Sequence, residues 1–193
     1  PLLASLAFSH HPALPEIARE PRIEFEHITL DEGLLRNTIS SVVQDQLGFL
    51  WVGTADGLLR YDGYQFKAYT HDPDNPRSLS HNRVMTLYQD RAGVLWIGTN
   101  GGGLNAFSQA TEQFRNYQPD PNDPHSISHH TITSIYEDRS GMLWIGTNGG
   151  GLNVYQHETG QFLHYAHEKD DPGSISSNFI RAIYEDQIGR AHV

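Results

Sequence analysis

Cysteine is absent from the sequence, which excludes disulfide bridges, thiolate metal sites and a cysteine nucleophile. Basic residues are scarce: 13 Lys and Arg face 23 Asp and Glu, a net charge of −10 with the 12 histidines neutral. No basic run gathers them, and gripping a phosphate backbone requires clustered Lys and Arg. Nucleic acid is therefore not an expected partner. Long apolar runs are missing too. The N-terminal stretch 1–9 is the most apolar one, well short of the roughly 20 residues that span a bilayer. It matches the end of a secretory h-region, with small residues at Ala7 and Ser9. Residues 1–21 are accordingly expected to be a signal-peptide remnant and flexible lead. What the chain does hold is 18 Gly, 10 Pro, three Trp, nine Tyr and eight Phe, which argues against both a coiled coil and disorder.

Self-similarity dominates everything after residue 37. Leu95 through Asn105, reading Leu-Trp-Ile-Gly-Thr-Asn-Gly-Gly-Gly-Leu-Asn, recurs letter for letter as Leu143 through Asn153, and a looser copy runs from Leu50 to Leu58. Each copy follows Asp-x-x-Gly: Asp45 and Gly48, Asp90 and Gly93, Asp138 and Gly141. The shared frame is completed by Trp51 and Gly53, Trp96 and Gly98, and Trp144 and Gly146. Within a unit, four short β-prone segments alternate with glycine turns, as in Val84–Gln89, Val94–Thr99, Leu104–Phe107 and Phe114–Tyr117. In the first unit Asp62-Gly63 signals a two-residue hairpin. Four strands per unit at a period near 45–48 residues predict an all-β fold, a β-propeller of four-stranded blades. The expected blades span about 37–70, 82–117 and 130–165, with a truncated unit at 178–193 inside a partial propeller over 22–193. Arg22–Ile28 alternates like a lone outer strand. The next tryptophan is due at position 192, which is His192, so residues 190–193 are expected to leave the pattern. The propeller is thus expected to be incomplete, about three blades with one strand at each end.

The motif Asp-x-x-Gly-x-Leu-Trp-[Ile/Val]-Gly-Thr-x-x-Gly-Leu resembles the two-component regulator propeller repeat. The opening Phe25-Glu26-His27-Ile28, Asp31-Glu32-Gly33-Leu34 and Gly57 through Gly63 resembles the start of such sensors. The resemblance implies a periplasmic ligand-sensing region of a bacterial membrane protein. A transmembrane helix and a histidine kinase or GGDEF diguanylate cyclase would follow, outside this chain. It further implies membrane attachment only through that missing segment, a homodimeric parent, and a small molecule or oligosaccharide as ligand.

Residues shared by all units are expected to build the blade. Asp45, Asp90 and Asp138 fit turn-capping carboxylates, and the three tryptophans fit inter-blade core. The connections 71–83, 118–131 and 167–179 all carry Asp-Pro and then Ser-[Leu/Ile]-Ser, but differ elsewhere. Their variable positions are freer to carry specificity, which makes Arg77, His81, Arg83, His125, His129, His130 and Phe179 the candidate ligand-binding set on one rim. No cofactor or metal is expected. His125, His129 and His130 fit no zinc spacing, and Asp72-Pro73-Asp74-Asn75 lacks the order of a calcium loop. The triglycine runs lack the following helix and Lys of a phosphate loop. No Ser-His-Asp set or paired carboxylates are readable, so the chain is expected to be non-catalytic. The rival readings are a protein- or carbohydrate-binding propeller without signalling output and a propeller-type polysaccharide enzyme.

Overall fold

The computed structural model describes residues 38–188 and 191–193. The expected leader 1–21 and outer strand Arg22–Ile28 lie outside the described residues. Among the described residues there is no helix, so none is long and apolar enough to cross a membrane.

Three four-stranded antiparallel sheets follow one another in chain order. The first holds β1 (Ile39–Gln44), β2 (Leu50–Thr54), β3 (Leu58–Tyr61) and β4 (Phe66–Tyr69). The second holds β5 (Val84–Gln89), β6 (Leu95–Thr99), β7 (Leu104–Ser108) and β8 (Gln113–Tyr117). The third holds β9 (Ile132–Glu137), β10 (Leu143–Thr147), β11 (Leu152–Gln156) and β12 (Gln161–Tyr165). Each sheet is an up-and-down meander, the form of a propeller blade. The first strand of each blade lies against that of the next, β1 on β5 and β5 on β9, which places them innermost. The blades do not close a ring among the described residues. The hairpin after β3 is a four-residue loop rather than a two-residue one. The Asp62 carboxylate accepts the backbone N–H of both Tyr64 and Gln65 at 2.8 Å, and this local capping widens the turn.

The blades are glued by aromatic layers. Trp51 and Tyr69 of the first blade meet Phe107 and Phe114 of the second, with ring centroids 5.0–5.9 Å apart. Trp96 and Tyr117 repeat this against Tyr155 and Phe162 of the third. Trp51 is fully buried and Trp96 is 2% exposed. A buried aromatic of roughly 200 Å² at about 25 cal/mol/Å² supplies about 5 kcal/mol, so these layers dominate blade cohesion.

The repeated glycine of Trp-[Ile/Val]-Gly-Thr has a steric cause. A Cβ at Gly98 would lie 2.7 Å from Thr86 Cγ2 and 2.8 Å from Ile132 Cγ2. Ile132 opens the innermost strand of the next blade, so this glycine is where consecutive blades touch.

The last unit contributes two short strands, β13 (Tyr184–Glu185) and β14 (Ala191–His192), paired antiparallel. His192 occupies the tryptophan slot and its Nε2 lies 3.0 Å from Asp186 Oδ2.

Candidate functional site

The turns divide between two faces. On one face lie the Asp-x-x-Gly turns, where each Asp works twice. Oδ1 of Asp90 accepts the backbone N–H of Val94 at 2.8 Å, while Oδ2 accepts the Trp96 indole N–H at 2.7 Å. Asp45 and Trp51 do the same at 2.8 Å, and Asp138 and Trp144 at 2.7 Å. The face is also stitched from blade to blade. The backbone N–H of Gln46 donates to Gln89 Oε1, that of Arg91 to Glu137 Oε2, and that of Arg139 to Glu185 Oε2, at 2.8–3.1 Å. All these carboxylates serve structure. Among the described residues, no group of three or more His, Cys, Asp or Glu is arranged to hold a metal ion.

The opposite face carries the three long connections together with the glycine turns between the second and third strands. The Ser-[Leu/Ile]-Ser motif is anchored there by a buried asparagine. Asn105 accepts the Ser80 N–H at 2.9 Å and donates to Ser80 Oγ at 2.8 Å, and Asn153 treats Ser128 alike. Gly103 sits at φ +76°, a left-handed conformation that suits glycine, and donates its N–H to the His130 carbonyl at 2.7 Å. Gly101 donates to the same oxygen at 3.1 Å, and Gly149 and Gly151 share the Asn178 carbonyl in the same way. Each glycine turn is thus clamped onto the connection entering the next blade.

Along the inner margin of this face runs a bonded arc. The Asn100 N–H donates to the Arg83 carbonyl, Asn100 bridges Thr131, the Asn148 N–H donates to the Thr131 carbonyl, and Asn148 bridges Phe179. The asparagines repeat, while the alternate positions are Arg83, Thr131 and Phe179. Arg83 and Asn148 are exposed, and the Phe179 ring is 64% exposed. A cation, a hydroxyl, an amide and an aromatic plane are therefore held in one row by fixed backbone.

The seven candidates from the sequence do not form one cluster. Arg83 and Phe179 belong to the inner arc. Next to it, the His81 and His129 rings pack against Gly101 and Gly149, and each Nδ1 accepts the N–H two residues on, at 3.1 and 3.0 Å. Ser177 fills the same slot with its hydroxyl, accepting from Phe179 at 3.0 Å. These two histidines are turn caps. His130 is exposed beside Asp120, Asp123 and His164. Arg77 and His125 lie by the outermost strands, where their carbonyls accept the N–H of Phe114 and Phe162. Arg77 also donates to Gln113 Oε1 at 3.1 Å. These two stand apart from the arc.

The profile of the two component regulator propeller matches residues 33–56, 78–101 and 126–149, each spanning an Asp-x-x-Gly turn, the tryptophan and the glycine turn or its counterpart. The chain carries two component regulator propeller repeats. Around these repeats the fold is similar to the extracellular domain of the putative hybrid two component system BT3049 from B. thetaiotaomicron. Identity there is 30% over 86% of this chain and 23% of that one, with a TM-score of 0.76. The extracellular domain of the putative one component system BT4673 from the same organism is similar at 29% identity. It covers 80% of this chain and 22% of that one, with a TM-score of 0.65. Among curated proteins, Histidine kinase P4 of Formosa agariphila is 38% identical over 63 residues, which is 33% of this chain and 5% of that protein. The chain therefore spans under a quarter of these relatives. Virginiamycin B lyase from Staphylococcus aureus, at 16% identity and a TM-score of 0.55, shares the fold alone.

Two features of the site and its interfaces escaped sequence reasoning. The asparagines Asn100 and Asn148 were given no role of their own, although their exact recurrence was the available signal. Glu112, which reaches Arg60, Lys67 and Tyr69 across the first blade interface, had no such signal, because the next blade has Gly160 in its place.

Proposed function

We propose that this chain is part of the extracytoplasmic sensor of a bacterial signalling protein, and that the face bearing the inner arc receives the ligand. The observation that carries this reading is the 30% identity, over 86% of the chain, to the extracellular domain of a putative hybrid two component system. Repeats of the same family recur three times in register. The fit to Histidine kinase P4 favours a kinase as the parent's output over a diguanylate cyclase.

The chain itself is a binding element with no catalytic step. The Asp residues that repeat once per blade are consumed by turns and indole pairs, so no paired acid and base emerges from them. Arg83, Thr131, Asn148 and Phe179 offer hydrogen bonds, one positive charge and a stacking plane, which suits a small molecule or oligosaccharide with polar edges. Binding shifts the population of parent arrangements, in a homodimer, only by as much as the ligand prefers one of them. Extending the reading frame tests the assignment. A transmembrane helix followed by a kinase core is expected downstream. A stop codon after the last blade, with neither feature, would remove the signalling role.

A further inference from the structure

The three long connections share one frame but not one latch. In the first, the backbone N–H of His71 donates to Asn82 Oδ1 at 2.6 Å, and the His71 ring Nδ1 lies 2.8 Å from the Leu79 carbonyl. In the last, His167 makes the same two contacts, with Asn178 and the Ile175 carbonyl, at 2.6 and 2.8 Å. In the middle connection the two latch positions are Pro119 and His130. Proline has neither a backbone N–H nor a ring donor, so both arms of the latch are lost together. The Ile127 carbonyl is the counterpart of those of Leu79 and Ile175. It has no hydrogen-bond partner among the described residues, although Ile127 is 1% exposed. A buried carbonyl left without a donor is unfavourable.

At this place a cavity of about 500 Å³ opens, walled by Pro119, Pro121, Pro124 and Ile127. His130 also lines it, with its backbone fixed because its carbonyl accepts the N–H groups of Gly101 and Gly103. His164 enters from the outermost strand of the third blade, and its Nε2 lies 2.7 Å from the Ser126 carbonyl. Asp120 and Asp123 complete the lining. Each spends Oδ1 on its own turn, accepting the N–H of Asn122 and of His125 at 2.9 Å. Their Oδ2 atoms have no partner among the described residues, and no Lys or Arg lines the cavity. The middle connection joins two complete blades, so the cavity belongs to neither end of the described chain.

We propose that this cavity binds a small primary ammonium ligand, which donates to the Ile127 carbonyl and the Asp120 and Asp123 carboxylates and rests its carbon frame on the prolines. An ammonium N–H supplies the donor that the His71 and His167 rings supply in the sibling connections, and its charge strengthens the bonds to the carboxylates. The site stands apart from the inner arc and takes a second ligand. The proposal does not depend on the sensor reading.

The test is titration of the full chain with glucosamine, ethanolamine and putrescine, with glucose as the neutral control, followed by amide shifts in NMR spectra. Wild type is expected to show saturable shifts around residues 119–130 with at least one amine and none with glucose. Pro119→His combined with His130→Asn restores the latch of the sibling connections, and is expected to abolish binding without lowering the melting temperature. Asp120→Asn combined with Asp123→Asn keeps both turn caps, since Asn75 already caps the Asp123 position of the first connection. It is expected to weaken amine binding about tenfold or more. A wild type that saturates with none of the three amines overturns the proposal. So does glucose binding as tightly as glucosamine, or amine binding that survives in either double variant.

Discussion

Asp90 Oδ2 accepts the indole N–H of Trp96 at 2.7 Å, with the carboxylate 2% exposed. The same pair, six residues apart, recurs in every complete blade and survives in the last unit with His192 replacing the tryptophan. It ties the turn on one face to the largest ring of the inter-blade core. Asp90→Asn keeps the shape but presents an N–H to the indole or to the Val94 amide, leaving one buried donor unmatched. A loss of about 1–3 kcal/mol is expected, read as a lower urea midpoint. Superimposable unfolding curves would show that the pair is incidental.

Acid sensitivity follows from Asp138. Burial opposes its charge, but the Ser140 hydroxyl, the Trp144 indole and the Met142 and Ser140 amides hold the carboxyl below its ordinary 3.8. Glu112 is likewise held below its ordinary 4.5, chiefly by the hydrogen bond from Lys67. A carboxyl lowered in the fold adds stability that is complete above its unfolded value and is lost as pH falls through its folded value. The melting temperature should therefore drop as pH goes from about 5 to about 3, and less steeply in Asp138→Asn. A wild-type profile that is flat over that window contradicts this.

Gly98→Ala should separate the second and third blades. Its backbone is not left-handed, so the cost comes from contact with Thr86 and Ile132 and is expected to be about 1–3 kcal/mol. Ile132→Ala in the same chain should recover part of what the methyl costs. An alanine variant as stable as wild type would mean that the blades can part without penalty.

Glu112 is a non-glycine residue at φ +52°, where the following blade uses Gly160 at φ +71°. Its contacts with Lys67 and Arg60 are exposed, and such pairs contribute about 0–1 kcal/mol. Glu112→Ala retains the backbone strain and loses the pairs. Glu112→Gly loses the pairs and sheds the strain. Thermal melts should rank alanine below glycine by about 1 kcal/mol, and the reverse order would refute the strain argument.

The blades were legible because their causes are local and periodic. Asp-x-x-Gly closes its own turn, and the tryptophan register counts the units. The indole pairing was hidden because Asp90 already had a sufficient local role, and nothing in a turn motif signals a second acceptor. His81 and His129 suggested ligand contacts because they lie at variable positions of the long connections. Ser177 in the equivalent slot, accepting the same kind of N–H, was the clue to their capping role. Arg77 and Arg83 could not be told apart by variability alone. Only the bonded arc separates the inner margin from the outer strands, because it links residues of different blades.

The central claim is that the inner arc, and not the outer connections, reads the ligand. Its most direct test is binding of a panel of neutral and acidic oligosaccharides by three proteins: wild type, Arg83→Ala with Phe179→Ala, and Arg77→Ala with His125→Ala. The account predicts a glycan that wild type and the outer pair bind alike and the inner pair does not. Loss of binding in the outer pair with retention in the inner pair would contradict it, as would a wild type that binds nothing on the panel.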